Sequence, residues 1–278
     1  MKRLIVNADD FGMAESVNDG IIAAHRGGIV TSASFLACGE AAEHAARIAA
    51  ENPSLDVGVH LCLTILPSAL PPEKLPTLTR GEKFHASPFA LMSRLAFGAV
   101  DKTEIESELR AQIEKALSLG VRPSHLDGHQ HVHVMPGIFE VVARLAKEYG
   151  IGSVRYPVGP WAGRMGYGST LEKLFLEGLA KSQRRVIKSY GLKCPDHFFG
   201  LAQTGRLGRR ELLSIIKGLP EGTSEIMCHP GLKNEPLEKE LRWGKGWERE
   251  LSAVTDARVE ELIEKRGIEL VNFKAGVY

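Results

Sequence analysis

The chain has 278 residues, enough for one large α/β domain or two small ones, and at 44% hydrophobic and 25% charged it has the composition of an ordinary globular protein. Its 35 basic and 34 acidic residues leave a formal net charge of +1, which gives no electrostatic reason to expect a nucleic acid or an anionic membrane as partner. The N-terminal run Met1 to Asn7 turns polar too early for a signal peptide, and no window supplies the ~18 apolar residues of a membrane span.

Cys38, Cys62, Cys194 and Cys228 are widely spaced, with no CxxC pair, and read as free thiols of a reducing, cytoplasmic compartment. The apolar run from Arg3 to Ala8 reads as a buried strand ending in Asp9-Asp10-Phe11-Gly12. Adjacent carboxylates at the C-terminal end of such a strand stand where α/β folds place active groups. Glu15 to His25 carries Val17, Ile21, Ile22 and Ala24 at helical spacing and stops at Gly27-Gly28. A second strand is expected over Ile29 to Cys38, a helix over Ala41 to Glu51, and a third strand over Leu55 to Leu63 with His60 near its end. Residues 65–99 open with Pro67, Pro71, Pro72 and Pro76 and read as an irregular excursion, a capping lobe rather than a barrel element. Glu104 to Leu119 is an amphipathic helix with Ile105, Leu109, Ile113 and Leu117 on one face.

The next stretch, His125-Leu126-Asp127-Gly128-His129-Gln130-His131-Val132-His133, holds four of the ten histidines. Imidazole is the commonest protein ligand for divalent transition metals, and it also transfers protons near neutrality. His125 to Asp127 reads as a strand end, and extended chain beyond it would put His129, His131 and His133 on one face. Ile138 to Tyr149 is helical, Ile151 to Tyr156 a strand with Arg155 near its end, and 157–170 a Gly- and Pro-rich excursion. A helix over Leu171 to Tyr190, a short aromatic strand or turn over Asp196 to Gly200, and a helix over Arg209 to Gly218 follow. Thr223 to Cys228 is a strand leading into His229-Pro230-Gly231, and the chain closes with a helix over Asp256 to Arg266 and a strand over Ile268 to Phe273.

Alternating strands and helices argue for a parallel sheet covered by helices, and right-handed crossovers through seven or eight such units close it. The expected fold is α/β, an irregular TIM-like (β/α) barrel spanning residues 1–278 as a single domain. It would bring Asp9, Asp10, His60, His129, Arg155 and His229 to one rim. One carboxylate with two imidazoles makes a divalent-metal site with positions left open, and a second carboxylate and another histidine could supply a base and an acid. Those are the parts of an amide or ester hydrolase. From the residues alone, His131 or His133 could replace His129 as ligand, Asp127 could orient a ligand from behind, and His125 reads as structural. No GxGxxG, GxxxxGK[ST], HExxH or GxSxG sequence offers competing chemistry.

Val6-Asn7-Ala8-Asp9-Asp10-Phe11-Gly12, Gly58-Val59-His60-Leu61-Cys62-Leu63-Thr64, the histidine stretch and Met227-Cys228-His229-Pro230, in that order, resemble the YdjC-like carbohydrate deacetylases. That family includes chitooligosaccharide and hopanoid-associated deacetylases, and the likeness runs from Arg3 to about Phe273. The resemblance implies a barrel of the glycoside hydrolase/deacetylase type. It further implies metal-dependent removal of an N-acetyl group from an acetylated amino sugar, a chitooligosaccharide or a sugar conjugate, with release of acetate. Position by position it implies metal ligation by Asp10, His60 and His129, with Mg or Zn as the ion. Asp9 matches the general base, His229 the general acid, and Arg155 an arginine that orients the base. An acid that is cationic near neutrality requires a carboxylate beside His229, supplied from elsewhere in the fold. The expected partner is a small sugar, with neither nucleic acid nor membrane, and a homodimer is the commonest assembly for such a chain. Two other readings remain: a different metallohydrolase, acting on phosphate esters or cyclic amides with His131 and His133 as ligands, and a non-catalytic metal- or sugar-binding barrel.

Overall fold

Runs of apolar residues long enough to be buried on both faces form the strands, and a computed structural model describes how they assemble over residues 1–84, 87–159, 167–241 and 246–276. The first units are β1 (Lys2–Phe11), α1 (Glu15–Arg26), β2 (Ser32–Phe35), α2 (Ala42–Ala50) and β3 (Asp56–Leu61). An antiparallel hairpin, β4 (Thr79–Arg80) and β5 (Lys83–Phe84), then precedes α3 (Pro88–Ala96) and α4 (Lys102–Ser118). The middle of the chain gives β6 (His125–Gly128), α5 (Phe139–Glu148), β7 (Ser153–Val154), α6 (Tyr167–Ser182) and α7 (Arg184–Ser189). After β8 (His197–Phe199) come α8 (Arg209–Lys217), β9 (Gly222–Cys228), α9 (Glu235–Leu241), α10 (Gly246–Val254) and α11 (Ala257–Lys265). β10 (Glu269–Leu270) and α12 (Phe273–Gly276) end the described chain.

The main sheet is parallel throughout, in the order β7-β6-β3-β2-β1-β9-β8, with β10 beside the start of β1 at Arg3 and Leu4. Its two ends curl towards each other. Ser153 forms a bridge with Lys193, and the Phe198 N–H donates to the Val158 carbonyl at 3.0 Å. The result is the irregular α/β barrel expected from the sequence. Helix α4 shows how the outer layer attaches: Ile105, Leu109 and Ile113 are fully buried on its inner face, as their four-residue spacing requires. At the base of the barrel His125 is packing. Its ring occupies the space over Gly58, where a Cβ would fall 2.3 Å from Cε1, and it stacks on Phe273 at 3.7 Å. Burial pushes its pKa down to about 4, so it is neutral.

Several expected elements differ. The 65–99 excursion contains a helix, α3, started by Ser87, whose Oγ accepts from the Ala90 N–H at 3.1 Å, with Pro88 in the first turn. Proline is tolerated there because its missing N–H has no partner to lose. The helix expected over Leu171 to Tyr190 divides at Gln183, and the last strand shortens to two residues. Helices α9 and α10 were not anticipated. Of the expected 157–170 excursion, residues 160–166 lie outside the described residues.

The excursion is held down by carboxylates on the inner face of α4. Fully buried Glu108 accepts from the Ala69 N–H (2.8 Å), the Leu70 N–H (3.0 Å) and Gln112 Nε2 (2.7 Å), while Glu104 accepts from the Thr77 and Leu78 amides. Glu108→Ala would orphan these donors at about 1–3 kcal/mol each before relaxation, so a loss of roughly 2–3 kcal/mol is expected. Urea unfolding should show the drop, with protease cleavage appearing first within 65–99; an unchanged midpoint would contradict the anchoring role.

Candidate active site

The two adjacent aspartates do not follow the first strand but lie within it. β1 runs on to Phe11, and its register against β2 shifts between Ala8 and Phe11, where Asp10 adopts φ 68°. In a regular strand Asp9 and Asp10 would point to opposite faces. The bulge turns both carboxylates towards one imidazole: His60 Nε2, on β3, lies 3.9 Å from Asp9 Oδ2 and 3.6 Å from Asp10 Oδ1.

β6 stops at Gly128, and the histidine stretch then turns through Gln130 and His131 at φ 53° and 55°. This overturns the extended arrangement with three histidines on one face. His129 alone of the three reaches the aspartates, its Nδ1 2.9 Å from Asp10 Oδ1 and its ring edge-on to His60 at 5.6 Å. His131 packs against Phe198 at 5.7 Å, and His133 Nε2 lies 3.3 Å from the Arg155 carbonyl. Burial, reinforced by the Arg155 charge, pushes His131 well below the usual imidazole range, and burial takes His133 down to about 4. Ligand atoms of Asp10, His60 and His129 lie within 4.8 Å of one another, as do those of Asp9, His60 and Asp127; neither His131 nor His133 belongs to either group.

Behind these residues sits Arg155, fully buried just past the end of β7. Its Nη1 and Nη2 reach Asp9 Oδ2 and Oδ1 at 2.7 and 2.6 Å, Nη1 also reaches Asp127 Oδ2 at 2.7 Å, and Nε reaches Glu225 Oε1 at 2.7 Å. Asp127 uses its other oxygen on His60 Nδ1 at 2.8 Å. Ser34 Oγ donates to Asp127 at 2.8 Å, and Asn7 Nδ2 donates to Asp9 at 2.8 Å. Burial would raise the Asp127 carboxyl, but Arg155 and His60 hold it well below the usual range. For Glu225 burial prevails over Arg155 and pushes the carboxyl up to about 7. Glu225, Asn7 and Ser34 went unassigned from sequence, although a charged side chain inside the strand Thr223 to Cys228 was a visible signal.

His229 extends from the end of β9, next to β1. Its backbone N–H donates to Glu250 Oε2 at 2.6 Å, and its Nδ1 lies 3.6 Å from the same oxygen. Burial opposes a charge on this imidazole, yet the buried Glu250 carboxylate, helped by Asp10 and Asp9, pushes it up to about 9. This is the carboxylate that the sequence required without locating.

The cluster fits a divalent cation. Burial would lower the His60 pKa, but the carboxylates of Asp127, Asp9 and Asp10 outweigh it and raise it, so the site draws positive charge to itself. Burial would likewise raise Asp10, but His129, His229 and His60 lower it. His129 Nε2 is buried without a hydrogen-bond partner. One carboxylate with two imidazoles accepts Zn, Co, Mn or Mg.

The chain matches the family profile described as YdjC-like protein over residues 3–265. It is 36% identical over 273 residues to a carbohydrate deacetylase of Brevibacillus brevis, covering 98% of each chain. It is 33% identical over 274 residues to a chitooligosaccharide deacetylase of Escherichia fergusonii, covering 97% of each. A solved structure from Enterococcus faecalis, of a protein for which cellobiose-phosphate cleavage has been proposed, superposes with a TM-score of 0.78 at 29% identity, over 99% of this chain and 98% of that one. Among the described residues no helix is long and apolar enough to cross a membrane.

Asp10→Asn should abolish stoichiometric binding of zinc measured by calorimetry. Asp127→Asn, which weakens the hydrogen bond behind His60, should reduce that affinity roughly 10–100-fold without abolishing it. Wild-type affinity in Asp127→Asn would remove its orienting role.

Proposed function

The chain belongs to the YdjC-like family of carbohydrate deacetylases, and on that premise we propose that it is a metal-dependent hydrolase removing an N-acetyl group from an acetylated amino sugar. The substrate proposed is chitooligosaccharide-like or a sugar conjugate, the products are acetate and a free amine, and the setting is the cytoplasm. The observation that carries this reading is that Asp9, within β1, and His229, just past the adjacent β9, both lie beside the Asp10, His60 and His129 donors.

Amide hydrolysis needs one proton taken from water and one given to the leaving nitrogen. A divalent ion, Mg or Zn, on Asp10, His60 and His129 would supply Lewis-acid polarisation of the acetyl carbonyl and acidify a water. Asp9 accepts the water proton at a carboxylate oxygen. The Arg155 fork, gripping both its oxygens, keeps that carboxylate from rotating as the proton arrives. His229 gives its proton to the amine nitrogen as the C–N bond breaks, and Glu250 keeps the imidazolium populated until then.

Incubation with N,N′-diacetylchitobiose should release acetate, chelation should stop the release, and returning Mg or Zn should restore it. Asp9→Asn should retain metal while kcat falls by about 10²–10⁴-fold. Turnover of phosphate esters with no acetate from acetylated sugars would reject the reading.

Glu250→Gln tests the acid separately. Glu250 raises the His229 pKa, so its neutral isostere lowers it, and the protonated form is lost at a lower pH. The alkaline limb of the kcat profile should therefore move to lower pH; a limb that stays in place would detach Glu250 from the acid.

A further inference from the structure

A second concentration of charge lies apart from the metal-binding residues. The loop leaving the C-terminal end of β8 meets α10 around a cavity of about 430 Å³, lined by Arg206, Gly208, Arg209, Arg210, Glu211 and Arg249 among others. That volume is in the range of small-molecule sites rather than of a trapped water. Arg209 pairs with Asp256 at 3.2 Å, whereas the side chains of Arg206, Arg210 and Arg249 have no ion-pair or hydrogen-bond partner among the described residues.

The arrangement runs against helix electrostatics. Arg209 and Arg210 are the first two residues of α8, at the positive end of its dipole, where acidic side chains are favoured. Gly208, at the N-cap, provides no side-chain oxygen for the free amides. Four arginines line the cavity beside the one carboxylate of Glu211, and Asp256 offsets only Arg209 among them. Local rules broken in this way are met by a compensating group, and here the compensation must be an anion. Guanidinium forks match the oxygens of phosphate in pairs, and free amides at a helix start add further donors.

We propose that this cavity binds a phosphate group, as free phosphate or as the phosphoryl end of a small phosphorylated sugar. The site shares a wall with the acid side of the centre without being part of it. The Leu207 N–H, one residue from Gly208, donates to Glu250 Oε1 at 3.5 Å, while the other oxygen of Glu250 holds His229. The cavity's lining residues from 202 to 211 follow the C-terminal end of β8, the side of a parallel sheet where α/β folds take their ligands.

The test is calorimetric titration of inorganic phosphate into the metal-loaded protein at low ionic strength, repeated with Asp10→Asn and with Arg206→Ser/Arg249→Ser. Both arginines are exposed, and the double variant should keep its fold and its acetate release while binding phosphate at least about tenfold more weakly. Asp10→Asn should bind phosphate as the wild type does. Absence of binding up to about 10 mM, equal binding in the arginine variant, or binding that disappears with Asp10→Asn and so belongs to the metal, would each overturn the proposal. Glucose 6-phosphate distinguishes the sources: binding tighter than that of inorganic phosphate assigns the cavity to a phosphorylated sugar, and equal binding assigns it to free phosphate.

Discussion

A single guanidinium ties the interior of this barrel together. Arg155 follows β7, at one end of the sheet, and its partners come from β1, β6 and β9. In a flat sheet β7 and β9 would be five strands apart, so the contact between Arg155 and Glu225 exists only because the sheet curls. Removing an ion from water costs several kcal/mol, recovered only when its partners are complete. The curvature and the charge network therefore require each other. Three carboxylates surround the one guanidinium, so deleting Arg155 would leave buried negative charge without its counterion, at about 3–5 kcal/mol.

Much of this was written in the chain in a form that strand periodicity can read. Asp9, His60, Arg155 and His229 each stand at or just beyond the end of an apolar run, and apolar runs of that length form strands whatever their neighbours. The missing parts depend on pairing and packing. The register shift that turns Asp9 and Asp10 the same way arises from β1 meeting β2, and nothing local marks it. The turn at Gln130 and His131 defeats a reading that assumes extended chain, since Gln carries no preference for a left-handed backbone and His only a weak one. Glu250 sits on α10 among residues as charged as those of any solvent-facing helix; only its burial against His229 distinguishes it. The dense prolines of 65–78 hid α3 by making the whole segment look irregular.

Backbone strain is gathered in the same place. Among the described residues four non-glycine positions have positive φ, and Asp10, Gln130 and His131 are three of them. Each such residue costs on the order of 1–3 kcal/mol and persists only where its surroundings over-determine it. Here the surroundings are the hydrogen bond between His129 and Asp10, the His60–Asp127–Arg155 chain, and the packing of His131 on Phe198. Relaxing either turn would carry a donor out of the cluster, so conformational cost and ligand geometry cannot be optimised separately.

The order in which strands pair also governs how the chain is made. Along Lys2 to Ala8, β1 pairs with β9, more than two hundred residues later, and at Arg3 and Leu4 its other side waits for β10. On a ribosome this strand, apolar from Leu4 to Val6, has open hydrogen-bonding positions until β9 and β10 have emerged. Such an edge is a template for pairing with other nascent chains. Asp9 cannot meet His229 until the same closing event, so a ribosome-stalled fragment ending before β9 lacks one of the two side chains proposed for proton transfer.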